Sequence, residues 1–154
     1  MDDSQRKYIE EFGIYLENQG MTRMAGRILV WLLIAEPPHQ SHQDLVDVLQ
    51  ASKGSISTNT RMLVHSGLAK RISLPGDRKT YFAIPDGLWL ELMQASMSEV
   101  THMKDLAKRG LLLLEDKPEN LKTRLMDMLS LFTFLEQEFP ALVERWERKQ
   151  KESV

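Results

Sequence analysis

Cysteine is missing from all 154 residues, which removes disulfide staples, thiolate metal sites and iron–sulfur clusters. Long apolar runs are missing too. The longest, residues 28–35 (ILVWLLIA), falls far short of the ~20 residues that span a bilayer. The opening stretch MDDSQRKYIEEF has neither the basic start nor the apolar core of a secretory leader. A soluble, cytoplasmic protein is expected. Enzyme signatures are also lacking: there is no phosphate-binding glycine loop, zincin motif or catalytic-triad signature. The chain is read as a non-enzyme with no cofactor. His39 and His42 stand three apart with Asp44 and Asp47 nearby. Two solvated histidines beside a proline pair explain this better than a metal site, and no metal is assigned. His65 and His102 are isolated.

The most informative absence is local. Between residues 51 and 84 the only acid is Asp77, against six cations: Lys53, Arg61, Lys70, Arg71, Arg78 and Lys79. The flanking blocks are both net negative, so the overall charge of −2 conceals a basic middle. A localised basic patch points to a polyanionic partner.

What is present around that patch is mostly helical. Tyr8, Ile9, Phe12, Tyr15 and Leu16 predict an amphipathic helix over residues 5–18, stopped by Gly20. Thr22 is positioned to cap a second helix, whose all-round apolar run places it at the centre of the core, and Pro37 and Pro38 end it. Ser41 and Asp44 approximate a capping box that opens a short helix with Leu45, Val48 and Leu49 on one face. After "QAS", Ser52 is a plausible cap for a further helix. Ile56, Thr60, Leu63 and Val64 line its inner side, and Gly67 stands where a left-handed residue is favoured. Two short helices in this arrangement make a helix-turn-helix. Alternating runs over residues 68–74 and 79–84 flank Pro75-Gly76-Asp77-Arg78 and predict a β-hairpin.

The fold expected is therefore mainly α: a winged helix-turn-helix, with a three-helix core plus β-hairpin wing, and a long helical dimerisation extension. The expected domains are residues 1–21, an N-terminal helix belonging to the dimerisation region; 22–85, the winged helix-turn-helix; and 86–154, the helical dimerisation region. A helix from about Gly87 toward Arg109 is interrupted at Gly110. Pro118 opens the last helix. There, Leu121, Leu125, Met128, Phe132, Leu135, Phe139, Leu142 and Trp146 recur at alternating fours and threes, an apolar seam suited to pairing with a second chain. The seam passes through Pro140 in register, so a kink is expected rather than a stop.

With Ile56, Thr60 and Leu63 inward, Ser55, Ser57, Thr58 and Arg61 face outward or sideways. Small hydroxyls let a helix sit deep in the major groove, where Ser and Thr bond phosphates or base edges and Arg61 can reach a guanine. Lys53, at the helix start, meets backbone phosphate. Arg78 and Lys79 at the wing can reach phosphates or a narrow minor groove. Asp77 is expected to orient a neighbouring cation.

The stretch "SKGSISTNTRMLVHSGLAKRISLPGDRKTYF", with "DGLWLELM" after it, resembles the MarR superfamily of winged-helix regulators, and most nearly its GbsR-type branch. That resemblance implies a homodimer on a roughly palindromic double-stranded DNA operator, usually a repressor, often with a small-molecule effector. It puts Ser55, Ser57, Thr58 and Arg61 on the recognition helix and Arg78 and Lys79 on the wing. Family wings carry an Asp-any-Arg motif, and here lysine stands last, without the guanidinium fork. GbsR-type relatives respond to choline-like compounds. Tyr8, Tyr15, Trp31, Trp89 and several methionines are candidate pocket residues, although such stripes are more often core. The alternative function is a winged-helix protein–protein module whose seam recruits a different helix. The exclusion of acids from the middle segment argues against it.

Overall fold

The Asp2 carboxylate accepts from the Gln5 amide while the Gln5 side chain accepts from the Asp2 amide. This capping box starts α1 (Asp3–Asn18) two residues before the apolar periodicity does. The computed structural model describes residues 1–152 in two compact units, the first Met1–Leu88 and the second beginning at Trp89. Within the first, α1 lies along α2 (Arg23–Ile34). The helices approach closely because Gly13 and Gly26 face each other; a methyl group on Gly26 would stand 3.3 Å from the Gly13 carbonyl oxygen. Three ion pairs lace the same contact: Arg23 to Glu10 at 2.7 Å and to Glu17 at 3.1 Å, and Arg27 to Glu10 at 2.8 Å. The Arg23 hydrogen bond, more than any other influence, holds the Glu10 carboxyl below its ordinary range.

The Thr22 hydroxyl caps α2, accepting from the Ala25 amide at 3.2 Å. Ile28, Leu29, Val30, Trp31 and Leu32 are all buried, so the apolar run is the centre of the core as expected. Trp31 is one of these core residues rather than a pocket wall, and its indole N–H donates to Gln40 Oε1 at 3.1 Å. β1 (Gln40–Ser41) leads into α3 (His42–Leu49). There the Ser41–Asp44 capping box forms as read, each side chain accepting the other residue's amide. Gln50 takes a left-handed conformation with φ 50°, and α4 (Lys53–His65) follows, capped by Ser52. Gly67, with φ 75°, turns the chain out of α4.

The hairpin consists of β2 (Lys70–Ser73) and β3 (Thr80–Ala83), shorter than the alternation suggested. β3 also pairs antiparallel with β1, giving a three-stranded sheet in the order β1-β3-β2. The third strand was not anticipated; two residues between prolines and a capping box carry no alternation to read.

In the second unit, α5 (Leu88–Leu113) runs unbroken through Gly110, against the expected interruption. A side chain at Gly110 would stand 2.7 Å from Leu125 Cδ1, so this glycine is a packing contact with α6 (Glu119–Glu152) rather than a helix breaker. Farther along, Thr101 donates to Glu136 at 2.9 Å and Lys104 pairs with the same carboxylate. α6 begins just after Pro118 and continues past Pro140 without stopping.

Candidate nucleic-acid interface

α4 is fixed by the side it buries. Ile56, Thr60 and Leu63 are inside, and the Thr60 hydroxyl is satisfied within the helix by the Ile56 carbonyl at 2.8 Å. The opposite side leaves Lys53, Thr58 and Arg61 exposed and Ser55 and Ser57 half-buried. At the first turn, Ser52 Oγ accepts from the Ser55 amide at 3.2 Å. The amides of Lys53 and Gly54 have no intrahelical acceptor, which gives this end positive character.

The wing tip, residues 74–79, closes through a bond from the Asp77 amide to the Leu74 carbonyl at 3.1 Å. Gly76 supplies the positive φ of 78° that the turn requires. Asp77 does not hold a cationic side chain, contrary to expectation. Its carboxylate accepts from the Lys79 backbone amide at 2.8 Å and from the Tyr81 hydroxyl at 2.6 Å. The Tyr81 bond is the main cause that keeps the Asp77 carboxyl below its ordinary range, and the same bond raises the Tyr81 phenol. A charge beside the wing is thus spent on folding the tip, leaving the Arg78 and Lys79 side chains exposed.

Helix and hairpin meet at a recess of about 500 Å³. Lys53, Ser57, Thr60 and Arg61 of α4 form one wall. Arg71, Lys79, Thr80 and Phe82 of the hairpin form another, and Ser41, His42 and Gln43 at the start of α3 close it. Four cations and no acid line this surface. Among the described residues, Lys53, Arg61, Arg71, Arg78 and Lys79 take part in no salt bridge, whereas the adjacent Lys70 is tied to Asp86 at 2.7 Å.

Of the residues singled out from sequence, Lys53, Ser57, Arg61 and Lys79 come together in the recess. Ser55, Thr58 and Arg78 lie outside it. Arg71, which the sequence places only within the basic patch, joins the recess as well. The cross-strand register sets Arg71 opposite Phe82, and the hairpin turns both toward α4. Composition gives Arg71 and Lys70 equal standing, and the strand register separates them. His39 and His42 diverge, the former edge-on to Tyr81 with ring centroids 5.2 Å apart, the latter lining the recess.

In the second unit the apolar seam of α6 is only partly covered. Leu125, Met128, Phe132 and Phe139 are half-buried, while Leu121, Leu135, Leu142 and Trp146 are exposed. A separate apolar recess of about 300 Å³ is walled chiefly by Trp89, Met93, Phe139, Leu142 and Trp146.

A family profile described as "MmpR5-like MarR family transcriptional regulator" matches residues 87–150. The HTH-type transcriptional regulator MmpR5 of Mycobacterium tuberculosis is 38% identical over 130 residues, 84% of this chain and 79% of that protein. A crystal structure of a transcriptional regulator, 34% identical, superposes with a TM-score of 0.72 over 94% of this chain and 99% of that one. The winged helix, the acid-free basic surface and these relatives agree: the chain belongs to the MarR family of DNA-binding transcriptional regulators.

Proposed function

We propose that this regulator is a homodimeric, ligand-responsive repressor that reads a roughly palindromic operator. Each chain would lay α4 in the major groove and the wing along the flanking backbone. The observation that carries this reading is the convergence of Lys53, Arg61, Arg71 and Lys79, all free of salt bridges, on one acid-free concavity. Exposed cations facing no acid favour a phosphate surface and release counterions when one docks.

The roles divide by position. Arg61, in the third turn of α4, reaches a base edge, with Ser57 and Thr58 beside it on phosphates or bases and Ser55 at the helix start. Lys53 and Arg71 hold backbone. Arg78 is exposed at the tip and takes the minor-groove position, while Lys79, which stands where the family has arginine, holds phosphate.

The dimer would form through α6, with α1 contributing Tyr8 and Tyr15, which are exposed in the single chain. The effector would be an apolar molecule in the recess beside Trp89 and Trp146. Their ring faces also suit a quaternary ammonium group, the ligand class suggested by the GbsR-type likeness of "PGDRK" and "DGLWLELM".

The test is a gel shift on the DNA upstream of the protein's own gene. Arg61→Ala abolishes the specific band and Arg78→Ala weakens it. Undiminished binding by the double variant would refute the assignment.

A further inference from the structure

One polar side chain of α4 has no role so far. Asparagine on a recognition helix is the usual reader of adenine, because it presents its amide oxygen and nitrogen together to the base edge. In this chain both ends of the Asn59 amide are already engaged. Nδ2 donates to the Ser55 carbonyl at 2.8 Å, and Oδ1 accepts from the Thr22 hydroxyl. The partners fix that orientation. The Ser55 carbonyl can only accept, so the amide nitrogen must face it; that turns Oδ1 toward Thr22, whose hydroxyl accepts from the Ala25 amide and donates its own hydrogen to Asn59.

Thr22 is the N-cap of α2. One hydroxyl therefore closes the first turn of α2 and reaches across to the flank of α4. Its neighbour Arg23 is held by Glu10 and Glu17 of α1, so the anchor does not swing freely. The apolar contacts of Ile56 and Leu63 are non-directional and tolerate small rotations of α4 about its own axis. A hydrogen bond at the flank does not.

We propose that Asn59 is a positioning residue, not a base reader: together with Thr22 it sets the roll of α4 on α2, and so the aim of Ser57, Thr58 and Arg61. This inference rests on α4 being the DNA-reading helix.

The experiment compares the wild type with Thr22→Val, Asn59→Ala, the double variant and Thr22→Ser. Affinities for operator DNA and for random DNA of equal length are measured at one salt concentration. Amide hydrogen exchange over residues 53–65 is followed in the free protein. Each single variant should lower the operator-to-random ratio roughly five- to tenfold, the worth of one net hydrogen bond. Random-sequence affinity, set by phosphate contacts, should stay within about twofold. The double variant should be no worse than the poorer single one, Thr22→Ser should match the wild type, and the loss should spread over every operator position. Exchange over α4 should quicken in both single variants. The proposal is overturned if Thr22→Val keeps the ratio and the exchange rate while Asn59→Ala loses discrimination at a single A·T pair. If the wild type shows no operator preference at all, the DNA-reading assignment of α4 fails, while the exchange data still decide whether Thr22 and Asn59 brace the helix.

Discussion

Arg61 and Lys53 share a wall of the basic recess but differ in what they can report. A guanidinium on a base edge discriminates among bases, and an ammonium at a helix start meets phosphate whatever the sequence. Arg61→Ala should cost about 1–3 kcal/mol on operator DNA and relax preference at one base pair, whereas Lys53→Ala should weaken all sequences alike and lower the salt slope by about one. Competition titrations at several salt concentrations check both, and a uniform loss for Arg61→Ala would make it a phosphate contact. Glu10 gives a residue-level prediction about stability. Its carboxyl titrates below the ordinary 4.5, chiefly because Arg23 bonds its charged form. A depressed carboxyl stabilises the fold above its unfolded value and loses that contribution as pH falls below about 4.5. The melting temperature of the wild type should therefore drop more steeply below that pH than that of Glu10→Gln, as followed by circular dichroism.

At the scale of elements, two glycines show how the same residue is read differently by chain-local and spatial arguments. Gly110 looks like a helix breaker in one dimension, yet α5 passes through it because Leu125 of α6 fills the space above its Cα. Alanine there should be close to neutral: about 1 kcal/mol of helix propensity gained opposes displacement of a flexible leucine end. Leucine at the same place has no such relief and should cost about 1–3 kcal/mol by overpacking. Gly26 behaves oppositely. Its added methyl would meet the Gly13 backbone at 3.3 Å, and backbone does not yield, so Gly26→Ala should destabilise although it too adds propensity. Urea denaturation of the three variants separates these cases, and a clear loss in Gly110→Ala would mean Leu125 cannot move. The same distinction marks what could be read from sequence. Thr22, Ser41 and Ser52 cap their helices as expected because capping is settled within four residues. The hairpin was legible for the same reason, through its alternation and its Pro-Gly turn. β1 was not, since a two-residue strand exists only through its pairing with β3. Arg71 and the bracing role of Asn59 also depend on partners far along the chain, and composition carries no trace of them.

On the scale of the whole molecule, α6 has 34 residues and none of them is buried in the single chain. Leu121, Leu131, Phe134, Leu142 and Trp146 stay exposed on it, more apolar surface than a lone helix face usually leaves to water. A second copy would cover this surface and would also give the molecule two recognition helices. Light scattering should then report about twice the 17.8 kDa chain mass, and Leu121→Glu with Leu142→Glu should return it to one. Losing the dimer should do more to DNA binding than either leucine could do by contact. When one half-site is engaged, the second binding event is intramolecular, an advantage of about 10²–10⁴ that the monomer forfeits. The salt slope should halve at the same time, because each half-site brings its own phosphates. Operator geometry supplies the control. Two recognition helices on a dyad match half-sites about 34 Å apart, so inserting about five base pairs between them turns one half-site to the far side of the duplex. The wild type should then bind no better than the glutamate variant, while the variant itself is indifferent to the insertion. Equal sensitivity of both proteins to that spacer would mean that one chain contacts both half-sites, and α6 would need a partner other than itself.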